Sequence, residues 1–338
     1  MQANSTGIVL ADVRISDFGV IFSDDLSKAM ISIIICSANE ADLFTVSENI
    51  RNTVGVPHEI IAIDNRLAPR GICEVYNEGA KLAKFDLLCF MHEDVEIKTA
   101  LWGEIVADIF RRDAGIGLVG VAGGGYKSLS PSGWYQLEFH SEERSYQNVL
   151  QGYKFDEKQE IHAYHNPRNE RLSRVVCVDG LWFCTRREIA LRFPFDGKAL
   201  TGFHGYDLDF SLNVFPHYKI VVTYDVLMKH ASEGNFNKQW LNEILKLHKK
   251  WSYALPLTTS EMTESEIYFT EKRSFKKLVE QMMRWEYSFG EIQTMLWYSA
   301  KTKKMTPRVA FKGFLHLLKL YLHILPIPDE QRSEPTAA

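Results

Sequence analysis

Leu87-Leu88-Cys89-Phe90-Met91-His92-Glu93-Asp94 decides how the rest of the chain is read. An unbroken apolar run closed by polar residues has the length and continuity of a strand buried on both faces, as in parallel sheets covered by helices. In open α/β sheets, ligands bind beyond the carboxyl ends of the strands. His92 and Asp94, two potential metal ligands, therefore fall where such a fold holds its ligand, with Glu93 between them.

The pattern extends in both directions. Upstream, Ile31-Ser32-Ile33-Ile34-Ile35-Cys36 reads as a buried strand ending in Ser37-Ala38-Asn39-Glu40, with a helical pattern after it through Leu43, Val46 and Ile50. Glu59 to Ile63 is a second apolar strand, ending at Asp64-Asn65, and Ile72, Val75, Tyr76, Gly79 and Leu82 lie at helical spacing. This β-α-β-α-β alternation predicts a mostly parallel sheet with right-handed crossovers. Downstream, Ile105 to Phe110 suggests a helix, Gly117 to Val121 a strand, and Tyr126 to Arg174 a long polar stretch, the usual form of a lid or binding region. Val175 to Val178, ending at Asp179-Gly180, and Lys219 to Tyr224 resume the sheet; after Asn237 the pattern is helical. Weak strand signals at Val9–Val13 and Val20–Phe22 precede the first clear strand. The expected division is an N-terminal extension (1–30), an α/β domain (31–235), a helical C-terminal region (236–326) and a flexible tail (327–338).

Composition narrows the function classes. A net charge of −4 argues against a general nucleic-acid binder. No stretch approaches the apolar length of a spanning helix, and the N-terminus lacks a basic region followed by an apolar core. The five cysteines show no CxxC spacing, and three lie in apolar runs, so a reducing, cytoplasmic setting is the simpler reading.

Acidic or amide clusters close four predicted strands: Asn39-Glu40, Asp64-Asn65, His92-Glu93-Asp94 and Asp179. Any one of them is as well explained by helix capping. Four along one sheet edge suit a ligand carrying a base, a ribose and a metal-bound diphosphate. A fifth cluster, Gly205-Tyr206-Asp207-Leu208-Asp209, has carboxylates that point about 200° apart on a helix, so one can enter a site while the other braces. His230 follows the last strand, either as a surface residue or as a further ligand.

In their order these segments resemble the inverting family-two glycosyltransferases with a GT-A fold, closest to the branch named after a streptomycin-biosynthesis protein domain. Ile33 to Asn39 resembles that family's opening strand and turn, Asp64-Asn65 its base-binding turn, and Tyr76-Asn77-Glu78-Gly79 its donor-supporting helix. Phe90 to Glu96 resembles the Asp-x-Asp metal-binding strand end, in the variant with His first. Asp179-Gly180 with Arg186-Arg187-Glu188 resembles the segment lining donor sugar and acceptor, and Gly202 to Phe210 the region holding the general base. The likeness covers about residues 31–235.

The resemblance implies transfer of a sugar from a nucleoside-diphosphate donor to an acceptor hydroxyl with inversion. It places Ser37, Asn39, Glu40, Asp64, Asn65, Asn77 and Gly79 around the nucleotide, and Asp179, Gly180, His204 and Asp209 around sugar and acceptor. Asp207 would be the base, and Asp94, with His92 and His230, would hold Mn²⁺ or Mg²⁺. Two positions depart from the family pattern: His92 replaces an Asp, and Tyr206 replaces a Glu whose charge could raise the pKa of Asp207. An unperturbed Asp207, with a pKa of about 3.9, would still be ionised at pH 7. Glu93 is expected to serve a helix cap and Asp209 a brace.

The acceptor is expected to be a glycan or a lipid-linked molecule in cell-surface glycan or glycoconjugate synthesis. Rival readings are a nucleotidyltransferase, for which a basic Gly-rich loop after the first strand is missing, and a catalytically silent nucleotide-sugar or glycan-binding protein. Gln281-Met282-Met283-Arg284-Trp285 spells the QxxRW of processive synthases, but it lies far beyond Asp207 and without spanning helices. Gly120 to Ser128 nearly spells a P-loop, with Tyr126 where lysine is required. Residues 311–325 form an amphipathic helix that either packs on the domain or rests on the inner membrane face. Oligomeric state is not encoded in any readable signal.

Overall fold

A computed structural model describes residues 8–10, 29–135, 144–153, 159–232, 234, 236–302 and 304–328. The strand signal at Val20–Phe22 and residues 329–338 of the expected tail lie outside them. At the N-terminal side β1 (Ile8–Leu10) is described. The core opens with β2 (Ile31–Ser37), α1 (Glu40–Thr53), β3 (His58–Asp64), α2 (Ile72–Leu82) and β4 (Leu87–Met91). β2 lies between β3 and β4 and runs parallel to both. Leu88, Cys89, Phe90 and Met91 are fully buried, as a continuous apolar run covered on both faces requires. Gly79 lets α2 close on the sheet, since a Cβ there would stand 2.4 Å from Ile34 Cγ2.

The chain continues through β5 (Val95–Ile97), α3 (Trp102–Arg112), β6 (Ile116–Gly120), β7 (Ala122–Gly124), β8 (Tyr126–Lys127), β9 (Ser145–Gln151) and β10 (Ile161–His165). It then forms β11 (Leu172–Val175), β12 (Cys177–Val178), β13 (Trp182–Arg186), α4 (Arg187–Arg192), α5 (Tyr206–Val214), β14 (Lys219–Thr223) and β15 (Met228–His230). The main sheet has the order β1-β3-β2-β4-β13-β6-β14-β11. It is mixed: β3, β2, β4, β6 and β14 share one direction, and β13 is inserted antiparallel between β4 and β6. A second sheet, β12-β7-β9-β15-β5 with β10 beside β9, covers the edge where the first sheet's strands end.

Among the described residues, the stretch from Tyr126 to Arg174 thus holds β8, β9, β10 and most of β11 where a polar loop is expected. The reason is a buried amide layer. Gln147, Asn148 and Gln151 on β9 are buried, and the side chains of Asn148 and Gln151 bond backbone outside the strand ladder. Asn148 Nδ2 donates to Tyr224 O and Val226 O at 3.0 and 3.2 Å, and Gln151 Nε2 donates to Ser232 O at 2.8 Å. Such a strand carries no hydrophobic alternation.

C-terminal to this lie α6 (Lys238–Trp251), β16 (Leu257–Thr258), α7 (Glu264–Arg284), α8 (Phe289–Lys301) and α9 (Pro307–Tyr321). Capping boxes at Thr263/Glu266 and Ser288/Glu291 start α7 and α8, and Thr306 with Pro307 starts α9. Glu271 pins α7 to the sheets. Buried, it accepts from Tyr126 Oη at 2.5 Å, Ser128 Oγ at 3.0 Å and Leu129 N at 3.2 Å. In the QxxRW-like segment, Met282 is buried in the helical packing and Arg284 reaches Pro328 O. Glu271→Ala would strand three donors and is expected to cost about 3 kcal/mol in urea unfolding. Glu271→Gln, which keeps an acceptor oxygen, should cost less than half of that.

Candidate active site

β2 and β3 finish level, Ser37 opposite Asp64, and β4 stops two residues short of them, Met91 opposite Ile35, so the residues after each strand face one crevice. β15 pairs antiparallel with β5, His230 opposite Val95, and Ala231 N donates to Asp94 O at 3.0 Å. That register sets His230 beside the end of β4. His92 Nδ1 lies 4.0 Å and His230 Nε2 3.7 Å from Asp94 Oδ1. One ligand atom from each of the three falls within 4.8 Å of the others.

The donor set fits a divalent cation. His230 is buried, its Nδ1 has no hydrogen-bond partner among the described residues, and 3.7 Å is too long for Nε2 to bond Asp94. Two imidazoles and a carboxylate that converge without bonding one another are a chemically suitable donor set for such an ion. Asp94 Oδ2 accepts from Ser232 Oγ at 2.5 Å. Burial works to raise the Asp94 pKa, but His230, His92 and Ser232 outweigh it and hold the carboxyl below its ordinary value.

The two departures from the family pattern touch each other. Tyr206 Oη lies 2.8 Å from His92 Nε2 and donates to Gly180 O at 3.1 Å. With its one hydrogen on the carbonyl, the phenol accepts from His92 Nε2–H. The imidazole lone pair is thereby placed on Nδ1, the nitrogen facing Asp94. Burial, then His230, lowers the His92 pKa, so the ring is neutral at pH 7. Gly180 is required here, because a Cβ would stand 2.3 Å from the Tyr206 hydroxyl.

Asp207 follows in the first turn of α5, half-buried. Burial, reinforced by the Asp179 carboxylate, pushes its pKa up to about 7, against the N–H groups of Leu208, Asp207 and Gly180. This differs from the ordinary carboxylate expected after the loss of a Glu at position 206. The recess and a neighbour distant in sequence supply the shift instead. Asp179 is itself fixed, Oδ2 by Trp134 Nε1 at 2.5 Å and Oδ1 by Leu181 N at 2.8 Å. Asp209 is buried against Lys250 Nζ at 2.9 Å and Trp251 Nε1 at 2.7 Å, which anchors α6 to α5. His204 is half-buried, and burial lowers its pKa.

At the other end of the crevice Asp64 is held by Arg66 through two side-chain bonds, at 2.9 and 2.7 Å, and that bonding drops its pKa to about 2. Arg66 also pairs with Glu40 at 2.7 Å. Asn39 caps α1 by accepting from Ala41 N at 2.9 Å. Glu93 accepts from Ala38 N and Asn39 N at 2.9 and 3.2 Å, tying the β4 end to the β2 end. Asn65 closes its own turn against Arg70 N and O, and Asn77 grips Phe195 N and O. These amides hold the walls of the crevice, with both ends of their side chains engaged.

Sequence reasoning passed over Ser232, Trp134 and Arg66. Ser232 and Arg66 each lie two residues beyond a named candidate and could be found by asking what braces it. Trp134 sits in the polar stretch, with no periodic signal.

A sequence profile described as a glycosyltransferase-like family matches residues 32–254. The chain belongs to this family. Its mixed sheet and flanking helices are those of a GT-A glycosyltransferase-like domain, followed by the C-terminal helices. No match is found among curated proteins. Among solved structures, the chain is similar to GalNAc-T7 crystallised with UDP, GalNAc and Mn²⁺ (10% identity, TM-score 0.46). That likeness covers 88% of this chain but only 59% of GalNAc-T7. It is also similar to TarS residues 1–349 of S. aureus (10% identity, 88% of this chain, 92% of that one, TM-score 0.45).

In this glycosyltransferase-like chain Tyr206→Phe removes only the hydroxyl that sets the His92 ring. Calorimetric titration with Mn²⁺ is expected to show affinity about 10- to 100-fold weaker than in the parent protein.

Proposed function

We propose that this chain is a metal-dependent inverting glycosyltransferase, moving a sugar from a nucleoside diphosphate to an acceptor hydroxyl. The observation that carries the reading is the pairing, in one crevice, of the His92–Asp94–His230 ligand set with Asp207, a carboxylate raised to a pKa of about 7. The family supports the donor class. The His-first strand end supports the streptomycin-biosynthesis-type branch.

In this reading Asp207 accepts the acceptor's hydroxyl proton as its oxygen bonds to the anomeric carbon. The bond from that carbon to the diphosphate breaks on the opposite face, which inverts the centre. A divalent cation supplies charge neutralisation for the departing diphosphate. His92, Asp94 and His230 would hold it; two imidazoles favour Mn²⁺ over Mg²⁺. Asp64 and Arg66, with Ser37, line the donor's nucleotide end. Asp179, Gly180 and His204 border the sugar and acceptor, and Asp209 sets α5 from behind. The catalytic unit is residues 31–235, with 236–326 shaping the acceptor side. The setting is the cytoplasm, where nucleotide sugars are made, and the product a cell-surface glycan or glycoconjugate. No described helix is long and apolar enough to cross a membrane.

A base must be deprotonated to act, so the rate should climb as pH rises through about 7 and level off above it. Asp179→Asn removes the neighbouring charge and should move that limb to lower pH. Asp207→Asn is expected to reduce turnover about 10²- to 10⁴-fold while calorimetry shows donor binding intact. Unchanged turnover would remove Asp207 from the mechanism; donor binding without turnover in the parent protein would favour a silent binding protein.

A further inference from the structure

α9 has two apolar faces. One, carrying Val309, Gly313, Leu317 and Leu320, is buried against α7 and α8, with Gly313 close on Leu296. The other faces solvent. Phe311, Leu318 and Leu322 fall at i, i+7 and i+11, one side of a helix, and are 63%, 44% and 54% exposed. Ile324, Leu325 and Ile327 extend the exposed apolar surface beyond the helix. Packing on the domain therefore accounts for only half of this element.

The charge carried by this segment of the chain is one-sided. From Ile292 to Pro328 the sequence has six Lys and Arg residues and no Asp or Glu, in a chain whose net charge is −4. Arg308 and Lys312 are exposed on α9, and Lys319 is half-exposed.

We propose that the outward face of α9 docks on the surface of an anionic lipid bilayer. An apolar stripe edged by cations lies in the interfacial plane, with the apolar side chains entering the acyl boundary and the cations meeting lipid phosphates. The charge decides between occupants. A second copy of this chain, related by a twofold axis, would bring the same cations against each other, whereas an anionic surface neutralises them. At fifteen residues α9 is too short to span, so the contact is peripheral. If the reading under Proposed function holds, docking delivers the site to lipid-linked acceptors; the docking itself does not depend on that reading.

The test is co-sedimentation of the full chain with vesicles of phosphatidylcholine, alone or mixed with phosphatidylglycerol. Binding is expected to the mixed vesicles only, and to weaken as salt is raised. Phe311→Ser with Leu318→Ser, and separately Lys312→Glu with Lys319→Glu, should each reduce partitioning about tenfold or more. Circular dichroism and nucleoside-diphosphate binding should be unchanged in both. Four results would overturn the proposal: no binding to the mixed vesicles, equal binding by the variants, binding only after residues 329–338 are removed, or a concentration-dependent dimer that the Phe311/Leu318 variant abolishes. Loss of catalytic activity with vesicle binding retained would bear on the enzyme reading alone.

Discussion

A three-residue antiparallel pairing, Met228–His230 against Val95–Ile97, governs the geometry of the crevice. Side chains alternate across a strand, so a slip of one residue would turn His230 away from Asp94 and present Lys229 in its place. β15 is held on its other side by β9, in parallel register from Met228 opposite Val149 to His230 opposite Gln151. The buried amides of β9 are thus more than an internal detail. By satisfying irregular backbone around Tyr224, Val226 and Ser232, they fix the strand that fixes the histidine. The second sheet acts as the frame from which His230 is brought to the end of the first.

The departures at His92 and Tyr206 read separately as losses, one of a carboxylate ligand and one of a charge beside Asp207. In the fold they form a single hydrogen-bonded unit with Gly180. A histidine ligand needs something to select its tautomer, and a buried phenol anchored on a carbonyl does so without adding charge. The electrostatic role is taken by Asp179, which stays in place through Trp134 and Leu181.

Much of the first sheet was legible in the sequence because its strands are buried on both faces and announce themselves as apolar runs. The strand-end residues could be placed for the same reason, since the end of a run is visible. What surrounds them was not legible. Trp134, Ser232 and Tyr206 act on side chains tens to more than a hundred residues away, through register and loop geometry that leave no local periodicity. β9 was hidden because its buried positions carry amides. Glu93, expected to serve a helix cap, instead accepts from the backbone of Ala38 and Asn39 at another strand end and so ties β4 to β2.

Gly180 has a consequence for how this site could change over generations. With 2.3 Å between a would-be Cβ and the Tyr206 hydroxyl, no side chain can be introduced at 180 while the tyrosine remains. Replacing Tyr206 first strips His92 of its partner, and replacing His92 first leaves a buried phenol with half its bonding unmet. The three positions are therefore strongly epistatic. Exchange of this arrangement for an all-carboxylate one would require the three positions to change together.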